Sequence, residues 1–290
     1  PLNFNLNEPI SSDDFLKLTW HGIPNILSSD HVEWTGIQEV SKICEKPATK
    51  NYPKLNISLG NLPNLLDKDT FPIQKAIHQR RSAVSMDRKT RIGRNTFYQF
   101  LIKATPQLNP VPFQSICWEP QVHLGLFVHR VDDLPSGLYF LLRNKNHLEE
   151  LKKKFKEEFS WQKPEFCPED LGLFLLEQGD YLGVSKSVSC GQDIAADGSF
   201  SLGMVSAFEK PLTEHGPWFY PRLFWECGAI GQVLYLQAEV SGIRSTGIGC
   251  FFDDPVHDIF GIKDMSYQSL YHFTVGGPVE DYRLTTLPPY

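Results

Sequence analysis

The sequence has no run approaching the ~18 uninterrupted apolar residues of a membrane-crossing helix, and its first residues lack the charged-then-apolar order of a secretory leader. Neither a membrane partner nor secretion is expected. Its six cysteines, Cys44, Cys117, Cys167, Cys190, Cys227 and Cys250, include no pair at C-x-x-C spacing and no tight cluster. A zinc site therefore has no ligand pattern, no metal is expected, and a disulfide framework is not expected in so long a chain. A reduced, cytoplasmic protein is the expectation. Charge of either sign is in small excess: 34 acidic against 28 basic residues leave a net −6, which argues against a general polyanion binder and against a nucleic-acid partner. No internal repeat of useful length is present.

What is there suits a globular enzyme-sized chain. With 290 residues and 41% hydrophobic content, it can bury one large core or two smaller ones. Residues 1–70 are rich in Pro, Asn, Ser and Asp, with short apolar clusters such as "DFLKLTW" and "GIQEVSKI". They read as an irregular arm or linker carrying one or two short helices and wrapping another surface. Residues 71–290 read as the folded domain. "FPIQKAIHQRRS" spaces Ile73, Ala76 and Ile77 for a helix that stops at the arginine pair. "RNTFYQFLIKA" repeats the pattern, with Asn95 or Thr96 as cap and Phe97, Leu101 and Ala104 as the buried stripe. "QVHLGLFVHRV", "LYFLLRN", "SLGMVSAF" and "YHFTVG" read as strands, and "NHLEELKKKFKEEF" as a charged helix with a Glu149–Lys153 pair. The longest helical signal runs from about Arg222 to Gly242, with Leu223, Cys227, Ile230, Leu234 and Ala238 on one side. Gly228, Ala229 and Gly231 keep that helix slim enough for another helix or a flat ring, and Gly242 suits its end. Helices and strands mix without regular βαβ alternation, which predicts α+β.

Three segments carry chemistry. Arg80-Arg81-Ser82, just after a predicted helix, can converge on a phosphate, since guanidinium groups give bidentate charge-assisted bonds and serine a shorter neutral one. A solvated basic turn is the plain alternative, with Arg88, Lys89, Arg91 and Arg94 nearby. "SGIRSTGIGCFF" places Gly247 and Gly249 where a backbone can approach a flat ligand, or where a strand simply turns. "VGGPVEDYR" ends a strand and lets Arg283 return towards a phosphate. His123 and His129 share a strand face without a third ligand, so structural roles are expected. Trp218, Phe219, Tyr220, Phe251 and Phe252 suit either a ligand wall or core packing, and Asp253 and Asp254 a turn or helix start.

Taken in order, "IHQRRS", "VHRVDDLPSGLYFLL", "WECGAIGQVLYLQAEVSGI", "GCFFDDPVHDIFGI" and "YHFTVGGPVEDYR" resemble the nitroreductase family over roughly residues 70–290, most nearly its SagB-type dehydrogenase branch, which includes azoline oxidases. The resemblance implies a mostly antiparallel sheet flanked by helices, a long interface helix, and FMN at a dimer interface. It implies an oxidoreductase passing hydride, or two electrons, through flavin N5 between a reductant such as NAD(P)H and a small-molecule acceptor. By the same resemblance Arg80, Arg81, Ser82 and Arg283 would hold the ribityl phosphate, and the backbone at Gly249 and Cys250 would face N5. Members usually lack a G-x-G-x-x-G fingerprint, and so does this chain.

Two departures matter. Many members carry Arg or Lys two residues after the serine, where Val84 stands here, so one cation favouring the reduced flavin is missing. The Lys-Tyr pair of azoline oxidases has no counterpart in "TEHGPWFYPR"; His215 is the acid or base available there, and a packed histidine is the alternative. These departures motivate a second reading, a degenerate half serving as a structural or interaction domain, and a third, a peptide-modifying dehydrogenase. "WHGIPNILSSDHVEW" resembles the segment joining two nitroreductase-like halves in double-length bacterial proteins, and Pro1 stands first in place of Met. The expectation is either the second half of such a protein, a pseudo-dimer, or a homodimer embraced by its arm.

Overall fold

The computed structural model describes residues 13, 16–48, 72–283, 285 and 287. Most of the arm expected over 1–70, part of the "DFLKLTW" cluster and much of the Pro-rich tail lie outside the described residues. The chain divides into two compact units, Pro1–Val40 and Ser41–Tyr290. In the first, Trp20, Ile26, Leu27 and Trp34 are exposed. The "GIQEVSKI" cluster forms a short helix, α1 (Thr35–Ile43), which buries no side chain.

In the second unit, six strands among the described residues form one antiparallel sheet in the order β5-β4-β2-β6-β8-β7. These are β2 (Val122–Val128), β4 (Gly137–Leu141), β5 (Leu173–Gln178), β6 (Phe200–Ala207), β7 (Arg244–Ile248) and β8 (Tyr267–Gly276). A small parallel pair, β1 (Ile92–Gly93) and β3 (Val131–Asp132), stands beside it. Every residue of β2 is buried, because the two-residue alternation sends Leu124, Leu126 and Val128 into one core cluster and Phe127 into another. The first cluster lies under α3 (Arg94–Lys103) and α8 (Tyr220–Val240); the second lies under α4 (Leu148–Lys154) and α9 (Asp253–Phe260). The expected α+β architecture is present.

The helix α8 carries the expected stripe, with Leu223, Ile230 and Leu234 fully buried, each contributing about 1.5–3 kcal/mol of apolar transfer. It ends where Gly242 turns left-handed (φ 70°), with Gly242 N–H donating to Glu239 O and Ile243 N–H to Ala238 O. Helix α3 buries Phe97, Leu101 and Ala104 as expected, but Gly93 rather than Asn95 or Thr96 occupies its cap position. The charged helix is shorter than its sequence suggests, and its ion pair joins Glu149 to Lys152 instead of Lys153. Phe155 and Phe159 must turn into the second core cluster, and the helix stops at Lys154 to let them.

One buried ion pair was not legible in the sequence. Arg143 donates to Glu226 and to the carbonyls of Ala104 and Val122, while Glu226 accepts the Gln121 and Val122 N–H groups. It ties the chain just after β4 to the second turn of α8.

Candidate functional site

Helix α2 (Ile73–Gln79) ends at Arg80, whose backbone (φ −54°, ψ 129°) turns extended and sends the next residues along β7. Ser82 bridges Ser245, and Ala83 N–H donates to Ser245 O at 3.0 Å. Further on, Asp87 N–H donates to Gly277 O and Val279 N–H to Ser85 O. The segment after the arginine pair is thereby pinned between the start of β7 and the "VGGPVEDYR" turn.

This pinning makes a cleft of about 510 Å³ lined by Arg81, Ser82, Ser85, Arg244 and Arg283 and by the carboxylates of Glu280 and Asp281, with Val84 on its wall. Three guanidinium groups and two hydroxyls are a donor set suited to a phosphate ester. They are partly engaged already. Arg81 donates to the carbonyls of Arg80, His78 and Leu287 at 2.8–2.9 Å. Arg283 forks onto Asp281 at 2.8 and 2.9 Å. Arg244 lies 3.6 Å from Glu239 and 4.0 Å from Glu280.

Arg80 does not line the cleft; its guanidinium lies 4.6 Å over the ring of Tyr235 on α8. The Tyr235 hydroxyl shares a hydrogen bond with Ser82 Oγ (2.8 Å) and accepts one from Gly247 N–H (3.0 Å). Behind it, Phe224, Cys227, Gly231, Tyr235, Tyr271 and Phe273 line a second, aromatic cavity of about 260 Å³. Tyr235 therefore joins an arginine-bearing cleft to a hollow of flat rings. A Cβ at Gly247 would strike the Tyr271 hydroxyl, so that ring would have to shift to admit a side chain there.

Gly249 and Cys250 line neither cavity. They follow β7, Gly249 standing four residues, about 13 Å of extended chain, beyond Ser245. Contrary to the expectation for the cysteines, Cys250 is bonded to Cys190, sixty residues away in sequence, with their Cα atoms 5.8 Å apart.

The remaining candidates lie elsewhere. His215 ends α7 (Glu209–His215) and stacks on Phe219 at 4.6 Å, just before α8 begins. Sixteen residues of helix separate Phe219 from Tyr235, about 24 Å at 1.5 Å per residue. Trp218 and Phe219 are buried, Phe251 stacks on His272, and Phe252 is exposed, so none of these aromatics walls the cleft. His123 pairs with His147 at 3.0 Å and His129 with Ser185 at 3.2 Å. Because Arg143 N–H donates to His123 Nδ1, the His123 proton sits on Nε2, directed at His147 Nδ1. Asp253 and Asp254 occupy the first turn of α9, where negative charge suits the helix N-terminus.

Sequence reasoning missed Tyr235, Arg244 and Tyr271. The first had a signal: Gly228, Gly231 and Tyr235 recur at helical spacing on a face beside the apolar stripe. Arg244 and Tyr271 had none, because their strand register alone brings them to the site.

Residues 135–277 match the model of the nitroreductase family, a stretch that leaves Arg80-Arg81-Ser82 and Arg283 outside it. No curated protein matches the chain. An Anabaena variabilis protein designated a nitroreductase covers 71% of this chain at 19% identity, with a TM-score of 0.54. This chain spans 38% of that protein's length. A Ralstonia eutropha protein with the same designation covers 81% of this chain and 95% of itself at 14% identity and TM-score 0.52. A chain of the Escherichia coli microcin synthetase McbBCD complex with truncated pro-MccB17 bound covers 89% of this chain and 85% of itself, at 15% identity and TM-score 0.51. At such identities the likeness is one of fold: the antiparallel sheet, its flanking helices and the long helix α8 are nitroreductase-like.

Proposed function

Because the chain carries a nitroreductase-family domain over residues 135–277, we propose that it is an FMN-dependent oxidoreductase whose cofactor phosphate enters the Arg81–Ser82–Arg244–Arg283 cleft. The observation that carries this reading is the convergence of those four side chains, drawn from segments up to 202 positions apart (81 to 283), on one cleft that adjoins an aromatic cavity through Tyr235. Bound there, the flavin would supply two-electron chemistry between a reductant such as NAD(P)H and a small-molecule acceptor. The arginines neutralise the phosphate, and Ser82 donates once Tyr235 releases it. The glycines at the end of β7, Gly247 and Gly249, would let the backbone lie against a flat ring, and the backbone of Gly249 and Cys250 would face its reacting edge. Val84 supplies no cation there. Arg80 acts through Tyr235, against whose ring it rests. His215, packed on Phe219 far along α8, holds the helix entry in this scheme.

A second half completes the site in this proposal, either another copy or a homologous domain of a longer chain. The exposed Trp225 on α8, the exposed apolar residues of the arm, and the greater length of the Anabaena protein support it. The fold likeness to a chain of the microcin synthetase complex supports a place near the SagB-type branch, and the missing Lys-Tyr pair argues against azoline oxidation. A cytoplasmic setting belongs to the same proposal.

The other reading is a half that no longer holds flavin. It is favoured by one observation: Tyr235 already occupies Ser82 and Gly247 N–H, and Asp281 already occupies Arg283. Absorbance separates the two. Protein that is yellow as isolated and releases FMN on heating, or that takes up added FMN, supports the oxidoreductase. Colourless protein that refuses added FMN supports the degenerate half.

A further inference from the structure

The disulfide Cys190–Cys250 lies where the chain leaves β7, beside the glycines assigned above to the flavin ring. Helix α5 (Leu182–Val188) runs into Ser189, Cys190 and Gly191, and both Cys190 (φ 55°) and Gly191 (φ 71°) are left-handed. A side chain at such a φ is costly to hold, so Cys190 keeps a backbone conformation that favours glycine. Cys250 is exposed and Cys190 half-buried, which leaves the bond open to an attacking thiolate. The other four cysteines are unpaired.

The loop the bond holds has few other ties. Phe252 N–H donates to Val188 O at 2.8 Å, and the Gln192 side chain donates to Cys250 O at 3.1 Å. Between them Phe251 lies flat on His272, 4.5 Å between ring centres and 12° between planes. His272 is itself bracketed by Ser189 Oγ at 3.3 Å and Ser269 Oγ at 3.2 Å. The bond therefore pins a short lid over a buried imidazole at one end and sets the backbone of Gly249 at the other. In a reducing compartment, the setting proposed above, a disulfide that forms at all is characteristically transient and redox-sensing.

We propose that Cys190 and Cys250 form a reversible redox latch: closed, it fixes the Gly249–Phe252 loop against the end of α5; open, it frees that loop and weakens FMN retention. The second clause rests on the flavin reading; the first does not. Opening transfers two electrons and two protons from a dithiol reductant. The S–S bond breaks, Cys190 and Cys250 become thiols, and the reductant leaves as its own disulfide.

The test uses the whole chain, handled with and without dithiothreitol. Under denaturing conditions, protein kept from reductant should show four titratable thiols of its six cysteines, and protein reduced while folded should show six. Hydrogen exchange at the Phe252 amide should be slow when oxidised and fast when reduced. FMN affinity, read by flavin fluorescence, should fall about five- to tenfold on reduction. Cys190→Ser should exchange at Phe252 like the reduced protein in both conditions. Six thiols before reduction, four after native reduction, or equal exchange at Phe252 in both states would each overturn the latch. FMN binding of equal strength in both states overturns its coupling to the cofactor. Failure to bind FMN in either state, with a reductant-sensitive Phe252 amide, supports the latch and removes the flavin reading instead.

Discussion

The phenol oxygen of Tyr235 stands 2.8 Å from Ser82 Oγ, joining the C-terminal half of the long helix to the segment after α2. The same oxygen takes the Gly247 N–H, so one side chain engages two groups that the flavin proposal assigns to the cofactor. If Tyr235 competes with FMN, Tyr235→Phe should tighten FMN binding by up to about tenfold, the worth of one net hydrogen bond. Titration of the apoprotein reads this directly. Weaker binding in the variant would mean that the hydroxyl helps hold the ligand.

Arg81 and Arg244 face the cleft from separate segments. Arg81→Ala and Arg244→Ala should each weaken FMN binding by at least about tenfold, as expected for loss of a charge-assisted contact. Arg80→Ala removes a cation from the Tyr235 ring and none from the cleft, so it should leave FMN binding undiminished, with the circular-dichroism spectrum unchanged. Full flavin content in both Arg81→Ala and Arg244→Ala would remove the phosphate from this cleft.

The Arg143–Glu226 pair is almost wholly buried, and Arg143 Nη2 has no hydrogen-bond partner. Removing one partner leaves a charge stranded. Glu226→Leu or Arg143→Met alone should cost about 3–5 kcal/mol in urea unfolding, and the double variant much less than the sum. Additive losses would show that the two side chains do not act as a pair.

Burial lowers the imidazoles of His272 and His129 to about 4, below the ordinary 6.5, with the neighbouring Arg130 adding to the effect at His129. The unfolded chain accepts these protons near 6.5 and the folded chain resists them. Stability is therefore complete above that value and falls as pH drops towards 4, by up to about 1.4 kcal/mol per pH unit for each histidine. Urea midpoints across this window should show the slope, and His272→Gln should flatten it. A slope unchanged by that substitution would exclude His272 as a source.

His215 stacks on Phe219 at the entry to α8. His215→Ala should lower the melting temperature while leaving flavin content intact. Slower turnover at full flavin occupancy and unchanged melting temperature would instead make the imidazole an acid or base in the reaction.

Local chemistry made much of the fold legible. Short, largely apolar runs marked β2, β6 and β8, the Leu223–Ala238 stripe marked α8, and Gly242 marked its end, because each signal lies within a few residues of its consequence. The strand β5 was not anticipated; it follows a Pro-rich stretch and pairs at the edge of the sheet, where alternation is weak. Arg81, Ser82 and Arg283 were readable as polar groups suited to an anion, and the structure brings these three to one cleft while Arg80 turns to Tyr235.

What the amino-acid order determined by itself was the kind of element at each place and the donors available to a phosphate. Tertiary structure alone decided which donors meet. Strand register carries Arg244 and Tyr271 to the site, helix rotation aims Tyr235 at Ser82, and two cysteines sixty positions apart become neighbours. These are long-range contacts, set by how the sheet and helices pack, and no local pattern encodes them.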